Sequence, residues 1–159
     1  MLTLSKKEPD IIDDAKITVQ VKAALAKEKG IPSGEIRVGT VSGVVHLQGT
    51  LASKNQASSV VEVVTSIPGV NDVNTSKLEV PDSEHPLVDA YITAKVKGAY
   101  LKEKLFRSKE VASMAVKVET KDGVVYLSGN VDNKELEQKA INLAKKIEGV
   151  KDVVSSIKS

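Results

Sequence analysis

Gly43-Val-Val-His-Leu-Gln-Gly49 decides the fold of this chain, because the same stretch returns 80 residues later as Gly123-Val-Val-Tyr-Leu-Ser-Gly129. Alternating apolar residues that follow a Ser-Gly or Asp-Gly pair are typical of a strand that leaves a tight hairpin turn. Two further blocks recur in the same order, residues 67–73 as 147–153 and residues 14–22 as 89–97. Three matched blocks in one order indicate an internal duplication.

Each copy has the pattern helix, strand, strand, helix, strand. The helices are predicted from apolar residues spaced three and four apart, and the strands from alternating apolar residues on both sides of the turn. A hairpin joins antiparallel strands, whereas a strand–helix–strand connection joins parallel ones by a right-handed crossover. The sequence therefore predicts an α+β fold of two tandem αββαβ modules, each a three-stranded mixed sheet with two helices on one face.

Polar residues mark the expected helix starts. Asp14 and Asp89 lie near the predicted beginning of the first helix of each copy, and we expect their carboxylates to cap those helices. Ser53 and Gln56 have the spacing of a capping box before the second helix of the first copy. These roles are structural, and none of them requires a chemical reaction.

The duplication also sets the expected domain boundaries. Residues 1–11 are predicted to be a disordered tail, module 1 spans residues 12–80, residues 81–86 form a linker with two prolines, and module 2 spans residues 87–159. Residues 14–22 recur at 89–97, a shift of 75, whereas the two later blocks are shifted by 80. Module 2 therefore has five extra residues, which we place between residues 101 and 116.

The residue types exclude several function classes. The 159 residues include no Cys, which excludes a disulfide, a thiolate metal site and a Cys nucleophile. His46 and His85 are the two histidines, and neither has a partner at metal-ligand spacing. The sequence has neither a Gly-x-Ser-x-Gly elbow nor a Gly-rich phosphate loop. We therefore expect no catalytic residue, no cofactor and no metal, and a binding protein rather than an enzyme.

One segment is more basic than the rest of the chain. The net charge is +2, but residues 95–109 carry six basic residues and one acidic residue among aromatic and aliphatic ones. This pattern fits either a solvated lysine face on a helix whose apolar side reaches the core, or a patch that contacts anionic phospholipid. For the second interpretation, the candidate lipid-binding residues are Lys97, Tyr100, Lys102, Lys104, Leu105, Phe106, Arg107 and Lys109.

Three motifs occur in both copies: Asp-Ala-x-Ile at the first helix, Gly-x-Val-x-Leu-x-Gly at the hairpin and Gly-Val-x-x-Val after the second helix. Together they resemble the BON domain of bacterial envelope proteins. Two copies in tandem resemble the dual-BON proteins, a group with osmotically inducible periplasmic members and outer-membrane lipoproteins. The resemblance implies a non-enzymatic periplasmic module linked to osmotic stress that associates with phospholipid surfaces or envelope proteins. Because lipoprotein members carry an acylated Cys, we expect the soluble type here.

Two other functions stay open. Sheet faces left uncovered by the helices, around Val44 and His46 in module 1 and Val124 and Tyr126 in module 2, predict a protein-interaction or chaperone-like factor. A cytoplasmic potassium-responsive binder is the third candidate, because some single-BON relatives have that role. Nucleic acid is not an expected partner, since the chain has no Gly-x-x-Gly clamp and only 3% aromatic residues to stack on bases.

Overall fold

The computed structural model describes residues 9–81, 87–105 and 115–159, with only the backbone described for residues 9–12. Contacts divide the chain into two units, residues 1–84 and 85–159. The first unit contains α1 (Pro9–Lys27), β1 (Arg37–Val41), β2 (Val44–Thr50), α2 (Lys54–Thr65) and β3 (Asp72–Glu79). The second unit contains α3 (Val88–Lys102), β4 (Val116–Lys121), β5 (Val124–Asn130), α4 (Lys134–Lys145) and β6 (Asp152–Lys158). α1 begins at Pro9, so residues 9–11, predicted as part of a disordered tail, are helical, and residues 1–8 lie outside the described residues.

Both sheets have the predicted mixed topology. The strand orders are β1-β2-β3 and β4-β5-β6, and in each sheet the first pair is antiparallel and the second pair parallel. Val45 and Leu47 on β2 are buried, whereas His46 between them is exposed. The helices therefore cover one face of the sheet, and the predicted α+β fold of two repeated modules is confirmed.

The two glycines of the repeated stretch are required for different reasons. Gly43 has a φ of 80° and follows Ser42, with a φ of 51°, so the hairpin is a two-residue turn with positive φ at both positions. Gly49 has a φ of 152°, and a Cβ there would lie 2.6 Å from the carbonyl oxygen of Glu35. Gly129 of module 2 meets the carbonyl of Ala115 in the same way. The second glycine is therefore required because another stretch of backbone passes too close for any side chain.

Asp14 and Asp89 do not cap their helices as expected, although the position of Asp89 near the start of α3 does favour the helix dipole. Asp14 is the sixth residue of α1, and its carboxylate accepts hydrogen bonds from the backbone N–H groups of Ser42 and Gly43, at 2.8 and 2.9 Å. Asp89 lies in the first turn of α3, yet it also binds a hairpin turn, through the N–H groups of Asp122 and Gly123 at 2.8 and 3.0 Å. Two successive residues with positive φ point their N–H groups to one side, which makes a concave site for an anion.

Ser53 caps α2 as predicted, but the return bond of the capping box goes to Ala52, one residue before the cap, rather than to Ser53. The backbone N–H of Gln56 donates to the Ser53 hydroxyl at 3.1 Å, and the Gln56 side-chain oxygen accepts from the N–H of Ala52 at 2.8 Å. Asn133 is the N-cap of α4, and its side-chain oxygen accepts a hydrogen bond from the N–H of Leu136 at 2.9 Å. These bonds satisfy N–H groups that have no partner within the helix.

The third strands of the two modules differ in regularity. The pairing of β2 with β3 shifts register between His46 and Gln48, so β3 contains one extra residue, a β-bulge. The pairing of β5 with β6 runs without a shift from Val124 opposite Asp152 to Asn130 opposite Lys158. β6 is therefore a continuous strand of seven residues.

Candidate functional site

The candidate lipid-binding residues that the structure describes lie on α3 and at its C-terminal end. The N–H of Leu105 donates to the carbonyl of Tyr100 and the N–H of Lys104 donates to the carbonyl of Leu101, both at 3.1 Å. Lys104 has a φ of 53°. This is the Schellman arrangement that ends many helices, but it places a lysine where glycine is usual.

Three of the candidate lysines and the candidate leucine lie on the C-terminal half of α3 and just after it. Lys97 and Lys104 are exposed, and Lys102 is half-buried. Leu105 is also half-buried and packs against the core of module 2. We define Lys97, Lys102, Lys104 and Leu105 as the α3 patch. The other three residues predicted for this surface, Phe106, Arg107 and Lys109, lie outside the described residues.

Tyr100 does not belong to the α3 patch, and the expectation that it enters a lipid interface is wrong. Its side chain is only 2% exposed, and its hydroxyl donates to the carbonyl of Ala140 at 2.9 Å. Burial raises the pKa of the Tyr100 phenol above its ordinary value. The physical reason is helical spacing, because Tyr100 continues the buried stripe of Ile92 and Val96 toward the core.

The charge around α3 differs from that around α1. Residues 87–105 carry four lysines and two acidic residues, whereas the equivalent residues 12–30 carry four lysines and three acidic residues. The patch lysines themselves have counterparts 75 residues earlier. In module 1 these are Lys22, Lys27 and Lys29, all exposed, and the counterpart of Leu105 is Gly30. The region of α3 therefore differs from that of α1 by one acidic residue fewer and by an added apolar side chain.

The uncovered sheet faces form a second candidate surface. In module 2, Tyr126 and Val154 are paired in register on β5 and β6, and each is 45% exposed. In module 1, the face around His46 is a shallow groove of about 460 Å³ that is also lined by Arg37 and Asn74. The face of module 2 is therefore the one that offers an aromatic and an aliphatic side chain side by side.

The remaining described surface adds no cluster of reactive groups. An open cleft of about 510 Å³ lies where α1 crosses its hairpin turn, and Asp14 in its wall already accepts two backbone hydrogen bonds. Across residues 13–81, 87–105 and 115–159, no three His, Cys, Asp or Glu side chains come together as metal ligands would. None of the described helices combines the length and the apolar character that crossing a bilayer needs.

The sequence model of the BON domain matches this chain twice, at residues 13–82 and 88–159. The chain belongs to the BON domain family. The resemblance inferred from the three repeated motifs is thereby confirmed, and we call the two matched regions BON domain 1 and BON domain 2.

Known dual-domain proteins are similar over nearly the whole chain. Osmotically-inducible protein Y of Escherichia coli (strain K12) is 39% identical over 153 residues, which cover 96% of this chain and 76% of that protein. Outer membrane lipoprotein DolP of Haemophilus influenzae is 28% identical over 150 residues, which cover 92% of this chain and 75% of that protein.

A solved C-terminal domain of CdsD, from the type III secretion system of Chlamydia trachomatis, aligns over 91% of this chain and 66% of that one. Its TM-score of 0.35 and identity of 14% are too low to add to the argument.

Proposed function

We propose that this chain is a non-catalytic, stress-related protein of the periplasm that binds anionic phospholipid surfaces through BON domain 2. The observation that carries the proposal is the α3 patch, which consists of exposed Lys97 on α3, exposed Lys104 just beyond its end, and half-buried Lys102 and Leu105. Relatives named for osmotic induction and for the outer membrane support the envelope setting and the link to stress.

The expected strength of this contact follows from the number of charges. A lysine near an anionic membrane surface contributes about 1 kcal/mol, so the exposed Lys97 and Lys104 contribute about 2 kcal/mol, on the order of thirtyfold in affinity. The screening length is about 10 Å at 0.1 M salt, so the attraction weakens as salt is added. Leu105 adds little because it is already packed on the core. The contact is therefore reversible and sensitive to salt.

Sedimentation with vesicles tests this proposal. The variant Lys97→Glu/Lys102→Glu/Lys104→Glu is compared with Lys22→Glu/Lys27→Glu/Lys29→Glu, which makes the same charge change at the equivalent places of BON domain 1. We expect the first variant to lose binding to phosphatidylglycerol vesicles and the second to keep most of it, with no binding of either to phosphatidylcholine. Equal losses would show that only net charge matters, and unchanged binding of the first variant would refute the proposal.

The open face of BON domain 2 supports a second candidate function, the binding of extended or unfolded envelope proteins. Its supporting observation is the exposed pair of Tyr126 and Val154, because neighbouring apolar side chains on a sheet are typical of protein-contact surfaces. We expect Tyr126→Ser/Val154→Ser to lower the suppression of aggregation of an unfolded outer-membrane protein and to leave vesicle binding intact. The control is Val19→Ser, since Val19 is 66% exposed on α1. An unchanged suppression by the double variant would exclude this face.

A further inference from the structure

β6 ends its sheet as a regular strand, and this sets it apart from the corresponding strand of BON domain 1. Within the described part of the chain, β6 has a strand neighbour on one side, β5. The equivalent strand of BON domain 1, β3, is interrupted by the bulge. There the side chain of Asn74 accepts hydrogen bonds from both the N–H and the hydroxyl of Ser76. Bulges of this kind prevent an edge strand from pairing with another chain. β6 has no such interruption.

The hydrogen bonds of β6 show which residues point their backbone groups outward. The N–H of Val153 donates to the carboxylate of Asp152 at 2.8 Å, and the N–H of Ile157 donates to the hydroxyl of Ser155 at 3.2 Å. Because alternate residues of a parallel edge strand face the neighbouring strand, Val153, Ser155 and Ile157 have their peptide groups on the outer edge. Local side chains occupy two of these N–H groups, and a new strand would replace those bonds.

The sequence of β6 is complementary to itself when the strand is reversed. With Ser155 at the centre of an antiparallel pair, Val153 faces Ile157 of the second copy, and these outward-pointing residues form the hydrogen-bonded positions. In the same register, Asp152 at one end faces Lys158 at the other. Both charged residues are exposed, and each would form its pair twice because of the two-fold symmetry.

We propose that β6 pairs antiparallel with β6 of a second copy of this chain, joining two three-stranded sheets into one sheet of six strands around a two-fold axis at Ser155. The corresponding strand of BON domain 1 does not support the same pairing. Besides its bulge, β3 begins at Asp72 and ends at Glu79, so an antiparallel partner would place like charges together. Two strands of seven residues form a small interface, so the dimer is weak and forms at high protein concentration.

Charge reversal across the strand ends tests this register. Asp152→Lys alone places two lysines opposite each other, and Lys158→Asp alone places two aspartates opposite each other. We expect each variant to raise the dissociation constant, measured by sedimentation velocity up to millimolar protein, by about tenfold or more. An equimolar mixture of the two variants restores opposite charges at both ends and should dimerise like the wild type. Glu79→Lys in BON domain 1 is the matched control and should have no effect.

A backbone variant tests the strand pairing independently of charge. Ser155→Pro removes the outward N–H at the centre of the register, and proline is tolerated on an edge strand when its missing N–H faces solvent. We expect this variant to melt cooperatively by circular dichroism and to stay monomeric at all concentrations. A wild-type chain that is monomeric throughout, a mixture that fails to dimerise, or a dimer that persists in Ser155→Pro would each overturn the proposal. None of these outcomes depends on lipid binding by the α3 patch.

Discussion

The carboxylate of Asp14 lies 2.9 Å from the backbone nitrogen of Gly43, although the two residues are 29 positions apart in the chain. The same bond joins Asp89 to Gly123 at 3.0 Å in BON domain 2. A second helix-to-hairpin contact lies one helical turn further on, where two threonine hydroxyls are hydrogen-bonded at 2.7 Å. These pairs are Thr18 with Thr40 and Thr93 with Thr120. Each BON domain therefore fastens its first helix to its hairpin at two points.

Asp14→Ala should destabilise BON domain 1 by about 1–2 kcal/mol, because two N–H groups of the turn lose a charged acceptor. Alanine favours the helix, so the loss cannot arise from helix propensity. The measurement is urea unfolding, and the control is Asp13→Ala, which removes a neighbouring exposed carboxylate. Equal losses in the free energy of unfolding of the two variants would show that the hydrogen bonds from Asp14 to the turn do not stabilise the domain.

Gly49→Ala should cost about 2–4 kcal/mol, because its Cβ would meet the carbonyl oxygen of Glu35 at a φ that L-residues rarely adopt. The matched substitution is Gly39→Ala on the adjacent strand, where no atom lies within 4 Å of the added Cβ. We expect Gly39→Ala to change the free energy of unfolding by less than about 0.5 kcal/mol. Similar losses in the two variants would show that close backbone contact is not the reason for the second glycine.

Tyr100→Phe should lower the free energy of unfolding by about 1 kcal/mol at neutral pH, because the bond to the Ala140 carbonyl is lost. The difference should then shrink at high pH. Burial raises the pKa of Tyr100 in the folded state, so above about pH 10 the unfolded chain loses this proton first and wild-type stability falls. Phenylalanine does not titrate. Unfolding curves between neutral pH and pH 11 measure the gap, and a gap that stays constant would contradict the buried phenol.

Lys104→Gly should stabilise BON domain 2 by about 1 kcal/mol, because glycine adopts a φ of 53° without the strain that lysine carries. The control is Lys97→Gly, in the middle of α3, where the same substitution should cost about 1 kcal/mol. Both variants remove one patch cation, so both should weaken vesicle binding. A Lys104→Gly variant that gains stability and keeps full affinity would remove Lys104 from the binding surface.

Much of this architecture follows from the sequence because it depends on local pattern. The repeated stretch predicted the hairpin, and its alternation correctly separated buried Leu47 from exposed His46. The role of Asp14 was missed because it depends on a contact between residues far apart in the chain. The repeat does contain a sign of this contact. In both copies a threonine follows the aspartate by four residues, so the two polar side chains lie one helical turn apart on the same side of the helix. The lipid-contact prediction for Tyr100 is wrong because its position on the apolar stripe, and not its basic neighbours in the chain, decides its burial. The bulge in β3 had no local pattern that would predict it.

Amide signals of the ¹⁵N-labelled chain, followed one by one during titration with phosphatidylglycerol vesicles, report most directly where the lipid surface binds. We expect intensity to be lost first around residues 97–105, while the equivalent residues 22–30 of BON domain 1 keep their signals. Added salt should restore the lost intensity. Loss that begins instead at residues 124–128 and 152–158, or that spreads evenly over both domains, would show that the end of α3 is not the binding surface.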